Sequence, residues 1–536
     1  MTSRVCFDLE ARAALKRGFD RIAEIARVTL GPIGGVVAIE KVANRNSNPE
    51  LLTDTGTISR RIIEIPGRFE NMGAMLARNM AWRIHEEVGD GSATALVIAQ
   101  SIIADAVRYV AAGHNAMTLW RGIKRCQPSV EAHLSASAQP LEDAERIVAL
   151  ATSLVRDEQI GRFIEEIFDI VGPQGFVEVR GAYGMESDRE YVEGVYWDAG
   201  WVSPYFADKD VGTQATVEKP YVLVTDYALE SAQDLVPVLE RVHRAGGKSL
   251  VIIAADLKAS ALNLMVSNNA KGTMRLLGLK APRYGDMRLA VLEDIAISCG
   301  AKFVRKDAGD VVSRVTAEDL GHAQTVVCNR STFTLMGTMG NPRAIRERIR
   351  VLQRAREHAE DSQQRDGLDE RIGKLLGGTA LLHVSGQSKE DRERRKDVAE
   401  TAVRVVRQGL QGGIVAGGGV AYVAAAAALE DVELNAEEEP ARDIIRRALL
   451  APLTCLVRNA GYDPGPVIAH VEASPPGWGF DVVHGRCVDM MAENIVDPLP
   501  TVLSAFTHGL SAAAMALTTD ALVYRSYRDT TPNINP

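Results

Sequence analysis

The sequence predicts a multidomain α+β protein in which two helical ends fold together around an inserted α/β middle. Three observations carry this. Residues 8–28 and 69–112 hold long helical periods, and the middle third changes to short strands separated by helices. After "GGIVAGGG" the chain is again helical and rich in Ala and Leu. At 536 residues it is long enough for several domains with large cores.

In order, "DLEARAALKRGFDRIAEIARV" at 8–28 places Leu15, Phe19, Ile22 and Ala26 on one helical face. "TLGPIGG" stops that helix with Gly31 and Pro32, and "VVAIEK" follows as a short strand. Residues 44–56 are polar and turn-rich, which predicts a loop. Long helices flank a Gly-Asp-Gly turn between Phe69 and Ala112, and residues 141–172 are helical and charged. "GFVEV", "PYVLVT" and "SLVIIAA" predict strands, with helices such as "SAQDLVPVLERVHRAG" between them. Residues 342–377 have the charge and period of a solvated antiparallel helical pair. "LLGGTALLHV" marks a joint centred on Gly377 and Gly378. Helices then continue to about Leu522, and "YRSYRDTTPNINP" predicts a disordered tail.

Apolar residues are 46% and charged residues 24%, as in ordinary soluble proteins. The net charge is -9 with no long basic run, which argues against nucleic acid as a partner. Six cysteines without a CxxC pair predict reduced thiols in the cytoplasm. Ten scattered histidines include no metal-ligand spacing. No early segment reads as a signal peptide, and the Ala-rich stretches are too short or interrupted to span a bilayer. No membrane partner is expected.

Each motif has two readings. "VGDGSATALVIAQSII" at 88–103 is either a plain Asp-Gly turn or an anion site. In the second case Asp90 binds Mg²⁺, and the helix start with the Ser92 and Thr94 hydroxyls faces phosphate. "VTLGP" at 28–32 and "VAGGGV" at 415–420 are two further Gly turns at helix boundaries, each weak alone. "AGGKS" at 245–249 fails as a P-loop, because the order is helix, turn, strand. "WVSPYF" at 201–206 is either core or an exposed apolar groove for non-native chains.

Taken together, "VTLGPIGGVVAIEK", "RFENMGA", "GDGSATALVIAQSII", "AGWVSPYF", "GGIVAGGGVAY" and "NIVDP" resemble, in order and spacing, the motifs of GroEL-type (group I) chaperonins. The likeness covers roughly residues 8–525. It implies a helical equatorial domain (1–136 plus 412–536), an intermediate hinge domain (137–192 plus 379–411) and an α/β apical domain (193–378). It also implies homo-oligomeric rings, usually of seven, with a lid co-chaperonin and non-native client proteins as partners. ATP and Mg²⁺ are the implied cofactors, with K⁺ a further candidate ion. Apical motion would turn on Gly194 and on Gly377–Gly378.

Residue by residue, Asp90 matches the metal-binding Asp. Gly91, Ser92, Ala93 and Thr94 match the phosphate loop, with Ser and Ala where hydroxyl residues are usual. Thr29, Leu30, Gly31 and Pro32 match phosphate and base contacts. Gly56, Gly417 and Gly418 match further nucleotide contacts, and Asp497 the ribose-binding Asp. Phe480 and Asp481 stand where Tyr-Asn is usual near the base. Trp201, Tyr205, Phe206, Val236, Leu239, Leu262 and Val266 match the apolar groove for substrate and lid, with Ser267 replacing an apolar residue.

The departures matter as much. Thr55 stands at the position of the family's catalytic Asp, with Asp54 beside it. Thr401 stands at the second acid, with Glu400 beside it. A Thr hydroxyl cannot take a proton from water at neutral pH, and positioned general-base catalysis contributes roughly 10²–10⁴-fold. Asp54 or Glu400 substitutes only if the backbone shifts by one residue. Ala199 and Lys389 replace an Arg–Glu pair between subunits, Thr454 and Asp463 an Arg–acid pair between rings, and the Gly-Gly-Met tail is missing. The expectation is an ATP-binding ring that encloses and folds clients. The alternative is a nucleotide-regulated holdase or assembly scaffold for one multi-subunit client, with weak or absent hydrolysis.

Overall fold

Helical periods at both ends of the chain become one helical unit assembled from both. In the computed structural model, residues 2–40, 49–173, 175–182, 186–208, 214–359, 361–376 and 378–526 are described. The chain divides into two compact units, Met1–Glu165 with Arg394–Pro536, and Glu166–Glu393.

The first segment contributes α1 (Asp8–Val28), α2 (Thr55–Arg61), α3 (Arg68–Val88), α4 (Ser92–Ala111), α5 (Ala116–Ala136), α6 (Ala144–Val155) and the start of α7 (Glu158–Val171), whose residues from Glu166 on belong to the other unit. The apolar stripe of α1 is buried at Leu15, Phe19, Ile22 and Ala26, as its spacing predicts. The loop expected at 44–56 is different. Glu50–Leu52 is a strand paired antiparallel with Val37–Ile39, and Thr55 already begins α2. The polar composition hid this short antiparallel pairing. Residues 41–48 lie outside the described residues.

The inserted unit carries a sheet of parallel strands, Arg275–Lys280, Ser249–Ala254, Tyr221–Thr225 and Phe303–Val304, with Gly321–His322 antiparallel on Tyr221–Thr225. Every residue of Ser249–Ala254 is buried, as expected of a strand covered on both faces. The unit's helices are α8 (Ala232–Arg244), α9 (Ala259–Lys271), α10 (Gly285–Cys299), α11 (Pro342–Glu357) and α12 (Ser362–Leu376). The charged pair α11–α12 closes on its own small core of Ile349, Leu352, Ile372 and Leu375. Buried Asp294 of α10 accepts from Arg348 at 2.7 Å and Arg371 at 2.5 Å, which ties both helices to the sheet layer. An antiparallel sheet of Val195–Trp197, Phe333–Met336, Thr325–Cys328 and Ala215–Glu218 completes the unit, beside a three-stranded sheet that includes Gly378–Ser385. Gly194 has φ +104°, and a Cβ there would run into Leu335 O, so the hinge candidate is obligately glycine. Gly377 lies outside the described residues.

The returning segment adds α13 (Lys389–Gly412) from Arg394 on, α14 (Val420–Ala425), α15 (Pro440–Asn459), α16 (Pro464–Glu472) and α17 (Leu499–Thr518). It is not helical to Leu522. Ala521–Ser526 is a strand paired antiparallel with Thr2–Phe7, so part of the expected tail is ordered by the opposite end of the chain. Residues 527–536 lie outside the described residues. The Ala-rich stretches are also longer than the sequence reading allowed. The 20-residue helices α4 and α17 are long and apolar enough to cross a membrane by length and composition. About half of each is buried in the helical core, 50% and 56% of the apolar window, where Ile98 and Phe506 are fully enclosed.

Candidate functional site

The Gly-Asp-Gly turn is a reversal between two helices. α3 ends at Gly89 with φ +84°, and α4 starts after Gly91 with φ +91°. Both are left-handed conformations that favour glycine. The Gly91 N–H donates to Asp90 Oδ1 at 2.7 Å. The first helical bond of α4 runs from Ala95 N–H to Gly91 O. The N–H groups of Ser92, Ala93 and Thr94 therefore have no partner within the helix, the arrangement that suits a helix terminus to an anion. The Ser92 hydroxyl is not part of it. It is buried and donates to Ala81 O at 2.8 Å, so Ser92 offers only its backbone.

Acids converge on this terminus. The Asp90 carboxyl is open to solvent, yet crowding by protein and the charge of Asp54 raise its pKa, against the Gly91 N–H and His85. Burial and the charge of Asp90 push Asp497 up to about 7, with the Gly418 N–H opposing. A carboxyl raised by Asp54 and a second raised by Asp90, beside free N–H groups, make a site suited to a cation and an anion together. Among the described residues no three metal-ligating side chains cluster. A cation held by Asp90 would have to take most of its ligands from water and a bound anion, which is the habit of Mg²⁺ with phosphates. The residues present fit that pair.

The Thr55 position adjoins this site. Asp54 caps α2, accepting from Thr57 N–H at 2.6 Å, and lies 3.4 Å from His85 Nδ1. Burial raises the Asp54 pKa, but His85 and the Thr57 N–H outweigh it and hold the carboxyl below its usual range. Thr55 is buried, with its Oγ1 2.8 Å from Thr29 Oγ1. Thr29 Oγ1 donates its single proton to Ala26 O at 2.9 Å, so Thr55 must donate to Thr29. Both hydroxyls are thereby committed. A Cβ on Gly56 would run into the His85 side chain, so this glycine lets α2 close on α3. On α13, Thr401 Oγ1 donates to Asp397 O at 3.1 Å, and Glu400 is exposed and 3.2 Å from Lys396. One turn on, Arg404 donates to His85 O at 3.1 Å, with its stem against Gly89.

The other turns join by backbone. Strand Ile414–Ala416 pairs with Val496–Pro498, setting Val415 opposite Asp497. Gly418 and Gly419 follow with φ +65° and +79° and open α14. Gly417 N–H donates to Ile495 O at 2.9 Å. Leu30 and Pro32 continue from Thr29 at the end of α1, partly or fully exposed. Phe480 and Asp481 are placed differently. Phe480 is buried against Leu453, Val457 and Val471, edge-on to Tyr462 at 5.1 Å. Asp481 is buried and accepts from the N–H groups of Val483 and His484 at 2.9 and 3.3 Å, inside the hairpin of Trp478–Asp481 and Arg486–Asp489. That hairpin touches α14 where Gly479 meets Val420.

In the other unit the apolar positions separate into a floor and a rim. Trp201 and Phe206 are buried in the core. Tyr205 is 76% and Val236 39% exposed, and Leu239, Leu262 and Val266 are half-buried on α8 and α9. Ser267 is exposed on α9. Of the four positions expected between copies, Ala199 packs on the core, Lys389 lies 3.9 Å from Glu393, Thr454 Oγ1 donates to Leu450 O, and Asp463 caps α16. Sequence reasoning missed His85, Arg404 and Asn459. Their partners lie 31, 319 and 429 or more residues away (54 to 85, 85 to 404, and 30 to 459), beyond any local pattern.

The family model of the TCP-1/cpn60 chaperonin family matches residues 22–526, a span that takes in every site position described above from Thr29 to Asp497.

Proposed function

The chain belongs to the TCP-1/cpn60 chaperonin family, whose members are ring-forming chaperones of protein folding, and from that premise we propose a divergent group I member that binds ATP–Mg²⁺ and turns it over slowly. The observation that carries this is the set of free N–H groups at α4 beside Asp90 and Asp497, whose carboxyls repel each other. Asp90 would hold Mg²⁺ and the amides of Ser92, Ala93 and Thr94 the phosphates. Gly417, Gly418, Thr29 and Leu30 would line the rest, with Asp497 on the ribose. Bound Mg²⁺ neutralises phosphate charge. Hydrolysis further needs a base for water, and here the Thr55 proton is committed to Thr29 while Asp54 caps a helix.

The rim of Tyr205, Val236, Leu239, Leu262 and Val266 would take non-native chains and the mobile segment of a lid co-chaperonin. Equatorial, intermediate and apical domains, a heptameric homo-oligomer, enclosure of clients and a cytoplasmic setting belong to the same proposal. A second reading, a nucleotide-regulated holdase or assembly scaffold, draws on the Thr29–Thr55 bond, because binding without hydrolysis is what it needs. Calorimetry of the wild type with Mg²⁺ and ATP, beside particle images, tests the proposal. Saturable Mg²⁺-dependent binding by sevenfold rings supports it, and rings that bind no nucleotide overturn it.

A further inference from the structure

Two helices of the helical unit end side by side. α1 finishes at Val28 and runs into Thr29, Leu30 and Gly31, while α15 finishes at Asn459. A helix end leaves carbonyls without intrahelical donors. Here the Asn459 side chain supplies them. Its Nδ2 donates to Arg27 O at 2.7 Å and to Leu30 O at 2.9 Å. Only the NH₂ end of an amide can face two carbonyl oxygens, and both of its protons are used. The contact is reinforced on the same face of α15. Cys455 Sγ lies 3.5 Å from Arg27 O, and a Cβ on Gly31 would run into Leu456 Cδ2. Beyond the turn, Gly34 N–H donates to Gly31 O at 3.1 Å and Gly35 N–H to Val28 O at 2.7 Å.

We propose that Asn459 is a positioning residue for nucleotide binding: its amide fixes the Thr29–Pro32 turn in the shape that meets the ligand. This rests on the ATP-binding reading above. Asn459 would act by preorganising the turn before the ligand arrives. Leu30 O has no other hydrogen-bond donor among the described residues, and Thr29 shares its hydroxyl with Thr55. Without Asn459 the Leu30 carbonyl loses its donor and the Leu30–Gly31 peptide is free to rotate, and ATP binding must then order it again. The residue lies 429 positions from Leu30 in the chain, so the turn depends on a helix contributed by the returning segment.

The same segment lines a cleft of about 330 Å³ between α1, α4 and α15, where Arg27, Cys455 and Arg458 appear together.

The test compares the wild type with Asn459→Asp, which keeps the shape but replaces both donated protons by a carboxylate, and with Asn459→Leu. Calorimetry measures Mg²⁺–ATP affinity, and hydrogen exchange follows the Gly34 and Gly35 amides. The expected result is a roughly tenfold or larger loss of ATP affinity in both variants, the scale of losing hydrogen bonds to two carbonyls. Exchange at Gly34 and Gly35 should rise, and capture of unfolded client by the other unit should be unchanged. A double-mutant cycle with Thr29→Ala separates positioning from general destabilisation. If Asn459 acts through the turn, the two losses are less than additive. Wild-type binding with unchanged affinity in both variants overturns the inference, as does full additivity with Thr29→Ala. A wild type that binds no ATP refutes the earlier functional reading, a different outcome from either.

Discussion

The two candidate sites are built from different materials. In the helical unit the site is backbone: free N–H groups at α4, left-handed glycines at Gly89, Gly91, Gly418 and Gly419, and a turn held by Asn459. Its parts come from both ends of the chain. In the inserted unit the groove is side chain: an exposed rim on α8, α9 and the Ser203–Phe206 turn over the buried Trp201 and Phe206. A backbone site survives the loss of most side chains, and a groove does not. On the proposed function, this is how the helical unit would keep nucleotide binding while Thr55 and Thr401 stand where acids are expected. On that proposal binding would rest on conformation, and water activation on two carboxyls.

The largest effect expected on this comparison is at the one side chain the backbone site needs. Asp90→Ala should weaken Mg²⁺-dependent ATP binding by 10²-fold or more, of order 3 kcal/mol, as a phosphate-bound cation loses its carboxylate. Calorimetry checks it, and unchanged affinity would move the cation elsewhere. Next comes the groove. Val236→Glu places a charge on a rim that must be desolvated to bind apolar chains, at roughly 2 kcal/mol or more. Suppression of client aggregation should fall at least tenfold while ATP binding stays intact. Val236 is the better probe than Phe206, because a Glu at buried Phe206 would break the core instead.

A smaller effect concerns the frame under the backbone site. Glu87 of α3 and His508 of α17 lie 3.2 Å apart. His508 and then Arg83 hold Glu87 down to about 2 from 4.5 against burial, and Glu87 raises His508 above 6.5 against burial. The Glu87 contribution is complete above pH 4.5 and lost as pH falls toward 2. The His508 contribution is complete below pH 6.5 and lost as pH rises through the raised value. The difference in melting between wild type and His508→Ala should therefore be greatest between pH 4.5 and 6.5, at about 1 kcal/mol. A difference that grows above pH 8 would contradict the pairing. The smallest effect is Ser92→Ala. Its hydroxyl serves Ala81 O, so stability should drop by about 1 kcal/mol. ATP affinity should stay within about twofold, and a tenfold loss would mean the hydroxyl reaches phosphate.

Much of the fold was legible because periodicity is local. The stripe of α1, the paired helices at 342–377 and the helical–mixed–helical order all follow from side-chain spacing. What was not legible is what the chain makes with itself at long range. The strand Ala521–Ser526 becomes a strand only against Thr2–Phe7, and Glu50–Leu52 only against Val37–Ile39. The apolarity of α4 and α17 is used in a shared core that no window of sequence displays. The site divides in the same way. Asp90 and the glycines announce themselves by type and spacing. Whether a residue in such a motif lines the site or supports it depends on burial, which puts the Ser92 hydroxyl, Phe480 and Asp481 inside and Asn459 beneath the turn.

The central claim is that binding is retained while water activation is lost, and steady-state ATP turnover of the wild type against Thr55→Asp/Thr401→Asp tests it most directly. The account predicts slow wild-type turnover and a gain of roughly 10²-fold in the double variant with little change in ATP affinity. Turnover in the wild type equal to that of the double variant, and abolished by Asp54→Ala or Glu400→Ala, would contradict it.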